Sequence, residues 1–116
     1  MKVLINRVSI LGETYTIYKD SEDDDFRLKE SDGYTDWTTK IIVIWDGSCW
    51  ERQNSVGNIE KYRNKVLRHE IIHAFVMESG LHEAATFDDD HFEQMVDWIA
   101  IQFPKIQEVF EKLRCL

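Results

Sequence analysis

The chain has 116 residues, 43% of them hydrophobic and 31% charged, with a formal net charge of -8. That is the size and balance of one globular domain spanning residues 1–116, with no room for a second core. The acidic excess repels phosphate backbones, so nucleic acid is excluded as a general partner, and no dense basic patch stands out along the chain.

No run reaches the ~18 apolar residues of a membrane span. The first twelve residues carry Lys2, Asn6 and Arg7 and do not read as a signal peptide. Cys49 and Cys115 form no pair with metal-binding or disulfide spacing. They read as free thiols in a reducing compartment, so the cytoplasm is the expected location and no membrane is expected as a partner.

The first half of the chain is β-like. Val3 to Ile10, a turn at Leu11-Gly12-Glu13, and Thr14 to Tyr18 form an expected hairpin. The acidic stretch from Asp20 to Asp25 is a solvated loop, without the spacing of a calcium loop. Phe26 to Asp32 reads equally as short helix or loop, and Asp32-Gly33 reads as a turn. Thr38 to Trp45 ends in the apolar run Ile41 to Trp45, the expected buried strand. Trp37, Trp45, Trp50 and Trp98 read as core or cleft wall.

The period then changes to that of a helix. Asn58 is placed to cap a long helix reaching about Ser79. Gly80 suits the left-handed position after its end, with Leu81 folded back on the last turn. From Val66 to Met77 this helix is apolar nearly all round, which predicts a path through the core. Asp88-Asp89-Asp90 favours a second helix start. Phe92, Val96, Ile99 and Phe103 follow at helical spacing, and Pro104 is expected to break this helix or begin another. Ile106, Val109, Phe110 and Leu113 continue the pattern. The expected class is α+β: a small antiparallel or mixed sheet from the N-terminal half, packed on a central helix and one or two C-terminal helices.

The central helix carries His69-Glu70-Ile71-Ile72-His73. Residues four apart stack on one face, so both imidazoles can grip one Zn2+ at ~2.0–2.1 Å. Glu70 is turned about 100° from His69, too far round to share the ion but able to reach a water and take its proton. This is the division of labour in HExxH: two ligands and a general base. Two histidines satisfied by hydrogen bonds in a core are the plain alternative, at a high desolvation cost.

Catalytic zinc normally takes a third protein ligand and a water. Glu93 is the first candidate. Asp97, four residues on, can accept the N–H of a ligand histidine. The plain reading of Glu93 is a capping partner of Asp90, and that of Asp97 is a solvated helix face. His91 is the alternative third ligand, with His82 and Glu83 as further rivals.

The HExxH with a downstream ExxxD (Glu93 to Asp97) is similar to the gluzincins, the thermolysin-like clan of zincin metallopeptidases. Residues 67–75, Glu78 to Leu81 and Val96 to Ala100 resemble small zincin-like proteins of bacteriophages and prophages, which would place the chain in a host cytoplasm. They are more distantly similar to ImmA-type metallopeptidases, which cut phage repressors. The resemblance covers about residues 38–104. It implies one zinc per chain on His69, His73 and Glu93, Glu70 as base, Asp97 supporting a ligand histidine, and a β-sheet beside the active helix. Val76 and Ser79 stand where a metzincin needs Gly and His, so that clan is excluded. A SprT-type arrangement would use His91 instead.

The leading expectation is a zinc-dependent peptidase acting on a protein or peptide, with the substrate extended beside Ile41 to Trp45. His82, Tyr34 and Tyr62 are candidate transition-state donors. The alternative is a zinc-stabilised protein-binding module without catalysis, which a fourth protein ligand would favour.

Overall fold

The computed structural model describes residues 1–84 and 88–116, with Trp50 described by its backbone alone. The fold is α+β. β1 (Val3–Ile10) and β2 (Glu13–Asp20) form the expected antiparallel hairpin, with Ile10 opposite Glu13. Leu11 and Gly12 both take positive φ, as a tight two-residue hairpin turn requires. α1 (Arg27–Glu30) resolves the ambiguous segment as one helical turn.

Asp32-Gly33 is not the expected turn. Gly33 opens β3 (Gly33–Asp36), which pairs antiparallel with β4 (Ile41–Trp45). The predicted strand is therefore shorter at its start, and Lys40 takes a positive φ before it. β4 runs parallel to β2, giving a mixed sheet of order β1-β2-β4-β3. Side chains alternate across a strand. Ile42 and Ile44 of β4 join Tyr15 and Ile17 of β2 in one core with Val66 and Ala74. Val43 and Trp45, on the opposite face of β4, are buried too, and the Arg52 guanidinium of α2 (Trp50–Asn54) covers the Trp45 ring at 3.9 Å.

α3 (Ile59–Glu78) matches the predicted central helix. Asn58 caps its start by accepting from the Lys61 N–H at 3.0 Å, and Gly80 follows its end at φ 78°. α3 lies between the sheet and α5 (Asp89–Lys112), but it is not enclosed all round. Phe75 is 43% exposed, and Leu81, at the start of the short α4 (Leu81–Ala84), is likewise exposed rather than folded back. Val76 meets Phe92 and Val96 of α5 in a second core, flanked by Ile72 and Met95.

α5 starts as expected, with Asp88 as its cap. Pro104 does not break it. A proline lacks the N–H that would bond the carbonyl four residues back, here that of Ala100. Arg68 of α3 supplies the substitute: its Nε donates to the Ala100 carbonyl at 2.7 Å. Of the tryptophans, Trp45 is core, Trp37 walls a cleft, Trp98 is exposed, and the Trp50 side chain lies outside the described residues. Among the described residues no helix is long and apolar enough to cross a membrane.

Candidate metal centre and catalytic cleft

α3 organises the site. Lys65, His69 and His73 recur every four residues, so they share one helix face. That face looks into a cleft of about 630 Å3 walled by β3, α3 and the first turns of α5. Gly33 lets β3 approach α3 closely. A Cβ there would stand 3.0 Å from Val66 Cγ1, 3.1 Å from the Val43 carbonyl and 3.2 Å from Glu70 Cγ.

His69 Nε2 and His73 Nε2 lie 3.1 Å apart. Glu93 reaches both, with Oε2 at 3.1 Å from His69 Nε2 and Oε1 at 2.7 Å from His73 Nε2. Donors at ~2.0–2.1 Å from a tetrahedral ion stand about 3.3 Å apart. The triangle therefore needs only slight expansion to hold a zinc-sized ion. His69, His73 and Glu93 offer ligand atoms that all lie within 4.8 Å of one another, and among the described residues no fourth ligand joins this group. Three donors leave a tetrahedral corner for water or substrate.

The donor chemistry fits as well. His69 Nδ1 lies 3.0 Å from Asp97 Oδ1. With the proton on Nδ1 and donated to Asp97, the Nε2 lone pair is left facing the triangle. Lys65 Nζ donates to the same Asp97 oxygen at 3.0 Å. Partial burial works against the Asp97 carboxylate, yet Lys65 and His69 hold it below its usual range. Burial pushes the His73 imidazole below its usual range, against the pull of Glu93, and so favours the neutral form that binds metal.

Glu70 stands beside the triangle, outside it and buried. The Thr35 hydroxyl lies 3.0 Å from Glu70 Oε1 and 2.9 Å from the Glu70 carbonyl, and donates to either. Burial pushes the Glu70 carboxyl up to about 7, opposed by His69 and by the Thr35 hydrogen bond. A carboxylate poised near neutrality suits a base that must both take and return a proton.

The remaining candidates separate. His91 sits in the α5 cap, with its Nδ1 2.6 Å from Asp88 Oδ1, and does not line the cleft. His91 thus stands in the turn that Asp88 caps, outside the group formed by His69, His73 and Glu93. Asp88 is also the partner that caps this turn, so Glu93 is not tied up as a cap for Asp90. Glu83 is exposed and away from the cleft wall. His82 does line the cleft, with Nε2 3.1 Å from Asp89 Oδ1 and its ring against Phe92. Tyr34 and Tyr62 line it too, but their hydroxyls donate to Asp25 and Asp32.

Two site residues escape the motif reading. Lys65 was detectable, since it falls one helical step before His69 on the same face. Thr35 carried no local signal, because only Asp32-Gly33, at the start of β3, was assigned, and as a turn. Comparison with protein-family models, curated proteins and solved structures returned no match.

Proposed function

We propose that this chain is a zincin-type hydrolase that cleaves peptide bonds with one Zn2+ held by His69, His73 and Glu93. The observation that carries the reading is the convergence of both Nε2 atoms and the Glu93 carboxylate beside a buried Glu70 held by Thr35. Zinc bound there supplies Lewis acidity, polarising a carbonyl and making water easier to deprotonate. Glu70 takes the proton from the attacking water and returns it to the leaving amine. Thr35 aims Glu70, and Asp97 aims His69. The sheet beside the ligand helix and a carboxylate from a later helix agree with what the zincin resemblance implies.

Strand order changes where substrate would lie. β4 is hydrogen-bonded on both sides, so Ile41 to Trp45 has no free edge. β3 is the outer strand, and Gly33 to Thr35 wall the cleft. An extended peptide pairing with the outer edge of β3 would pass the metal donors. His82 is the cleft-wall donor whose partner, Asp89, is itself exposed, which favours it for the oxyanion over Tyr34 and Tyr62. Cys49 and Cys115 are both free, which suits a reducing cytoplasm.

The alternative of a zinc-stabilised binding module gains no support from a three-donor group with a buried carboxylate next to it. Elemental analysis together with Glu70→Gln tests the choice. The expected result is one zinc per chain in both proteins, with cleavage of a peptide library in the wild type only. No zinc in the wild type, or equal cleavage by Glu70→Gln, removes the proposal.

A further inference from the structure

The chain is acidic, yet it gathers cations in one place. Lys61, Lys65 and Arg68 follow one another along α3 at helical spacing, and Lys105 and Ile101 of α5 face them across a groove of about 450 Å3. Asn58 and Tyr62 complete its wall, and among the described residues no carboxylate lines it. Four of the chain's 14 Lys and Arg residues thus stand together. No dense basic patch stands out along the sequence; folding brings together, from two helices, cations that are dispersed in it.

The cations are held differently. Arg68 has its Nε fixed on the Ala100 carbonyl, which anchors the guanidinium plane at the groove. Lys65 is tied to Asp97. Lys61 and Lys105 are exposed, and among the described residues neither ammonium has a carboxylate partner. The groove adjoins the cleft, since Tyr62 and Lys65 line both.

Its length limits what it can take. From the Asn58 cap to Arg68, α3 covers about 15 Å, which an extended polypeptide spans with four or five residues. A long phosphate backbone would have to lie against the acidic remainder of the surface, whereas a short acidic segment would not. We infer that this groove is an exosite for an acidic stretch of the polypeptide substrate, seated next to the metal centre. The inference rests on the peptidase reading above and adds to it a substrate class. Cationic groups without intramolecular partners attract the segment, and the shared wall at Tyr62 and Lys65 leads it toward Glu70.

The test uses the zinc-loaded full chain and a fluorescein-labelled hexaglutamate peptide followed by fluorescence anisotropy. Wild type binds hexaglutamate, and raising salt to about 0.3 M weakens the complex, because solvent-exposed charges are screened. Charge reversal with Lys61→Glu and Lys105→Glu together weakens binding by about tenfold or more, which follows from losing and opposing two exposed ion pairs. Lys61→Arg with Lys105→Arg retains it. Zinc content and melting temperature of both double variants stay at the wild-type value. The exosite is overturned by a wild type that ignores hexaglutamate, by binding that survives charge reversal, or by a six-residue oligothymidylate that displaces the peptide at equal concentration. A wild type that lacks zinc but shows the full hexaglutamate pattern would overturn the peptidase reading and leave an acidic-peptide groove standing.

Discussion

Arg68 on α3 donates through Nε to the carbonyl of Ala100 on α5, the acceptor that Pro104 leaves without its intrahelical partner. One side chain therefore repairs a helix defect and joins the two helices that carry the candidate metal donors. Arg68→Met keeps the apolar stem and leaves the carbonyl unpaired, a loss of about 1–3 kcal/mol. Pro104→Ala restores an N–H to that carbonyl. In urea unfolding, Arg68→Met is expected to cost much less in the Pro104→Ala background than alone. Strictly additive effects would show that the Arg68 contact does not compensate for the proline.

Thr35 is expected to matter for turnover more than for metal loading. Its hydroxyl is the hydrogen-bond donor on Glu70, while His69, His73 and Glu93 do not depend on it. Thr35→Val preserves shape and removes the donor. A hydrogen bond to a charged group contributes about 1.5–3 kcal/mol, so kcat should fall by about 10- to 100-fold with zinc content unchanged. Equal kcat in the two proteins, measured on any peptide the wild type cleaves, would remove Thr35 from the mechanism.

Glu70 also makes metal-free stability depend on pH. Its carboxyl is raised from 4.5 to about 7 by burial, so between those values the folded chain holds a proton that the unfolded chain has released. The stability that Glu70 contributes is fully present below about 4.5 and is lost as pH rises through about 7. Glu70→Gln removes the cost of burying the charge. In chelator-treated protein at pH ~8 it should be more stable than wild type by about 1–3 kcal/mol, with little difference at pH ~5. Urea midpoints at the two values check the sign. A Gln variant less stable at the higher pH would mean that Glu70 is not held in a desolvated place.

What could be read from the chain follows how local each determinant is. The α3 cap at Asn58, the Gly80 terminus and the four-residue step from His69 to His73 are all set by residues within a few positions of one another. The Glu93 and Asp97 pair was legible because one helix carries both. β3 was not, because Asp-Gly-Tyr-Thr has the composition of a turn and becomes a strand only by pairing with β4. Thr35 vanished with it. The carbonyl that Pro104 leaves unpaired in α5 is met by Arg68, thirty-two positions before the acceptor Ala100. The basic groove likewise exists only once α3 and α5 are side by side. Glu70, buried despite its charge, interrupts the apolar pattern at the place where the site needs it.

His69 and Lys65 share one oxygen of Asp97. Asp97 touches no other donor of the triangle, so its effect on the metal must pass through the His69 ring. Removing such a partner typically lowers metal affinity by about 10- to 100-fold. Asp97→Asn should fall in that range in competition with a zinc-chelating dye, because an amide cannot hold the imidazole N–H as a carboxylate does. Lys65→Met should shift affinity in the same direction by less, since it removes only the ammonium that holds the carboxylate ionised, and Lys65→Arg should restore it. His69→Ala should abolish tight binding outright, because it deletes a donor. If Asp97→Asn binds zinc as tightly as wild type while His69→Ala does not, the ring is oriented by its own packing on α3, and the carboxylate serves only to pair Lys65.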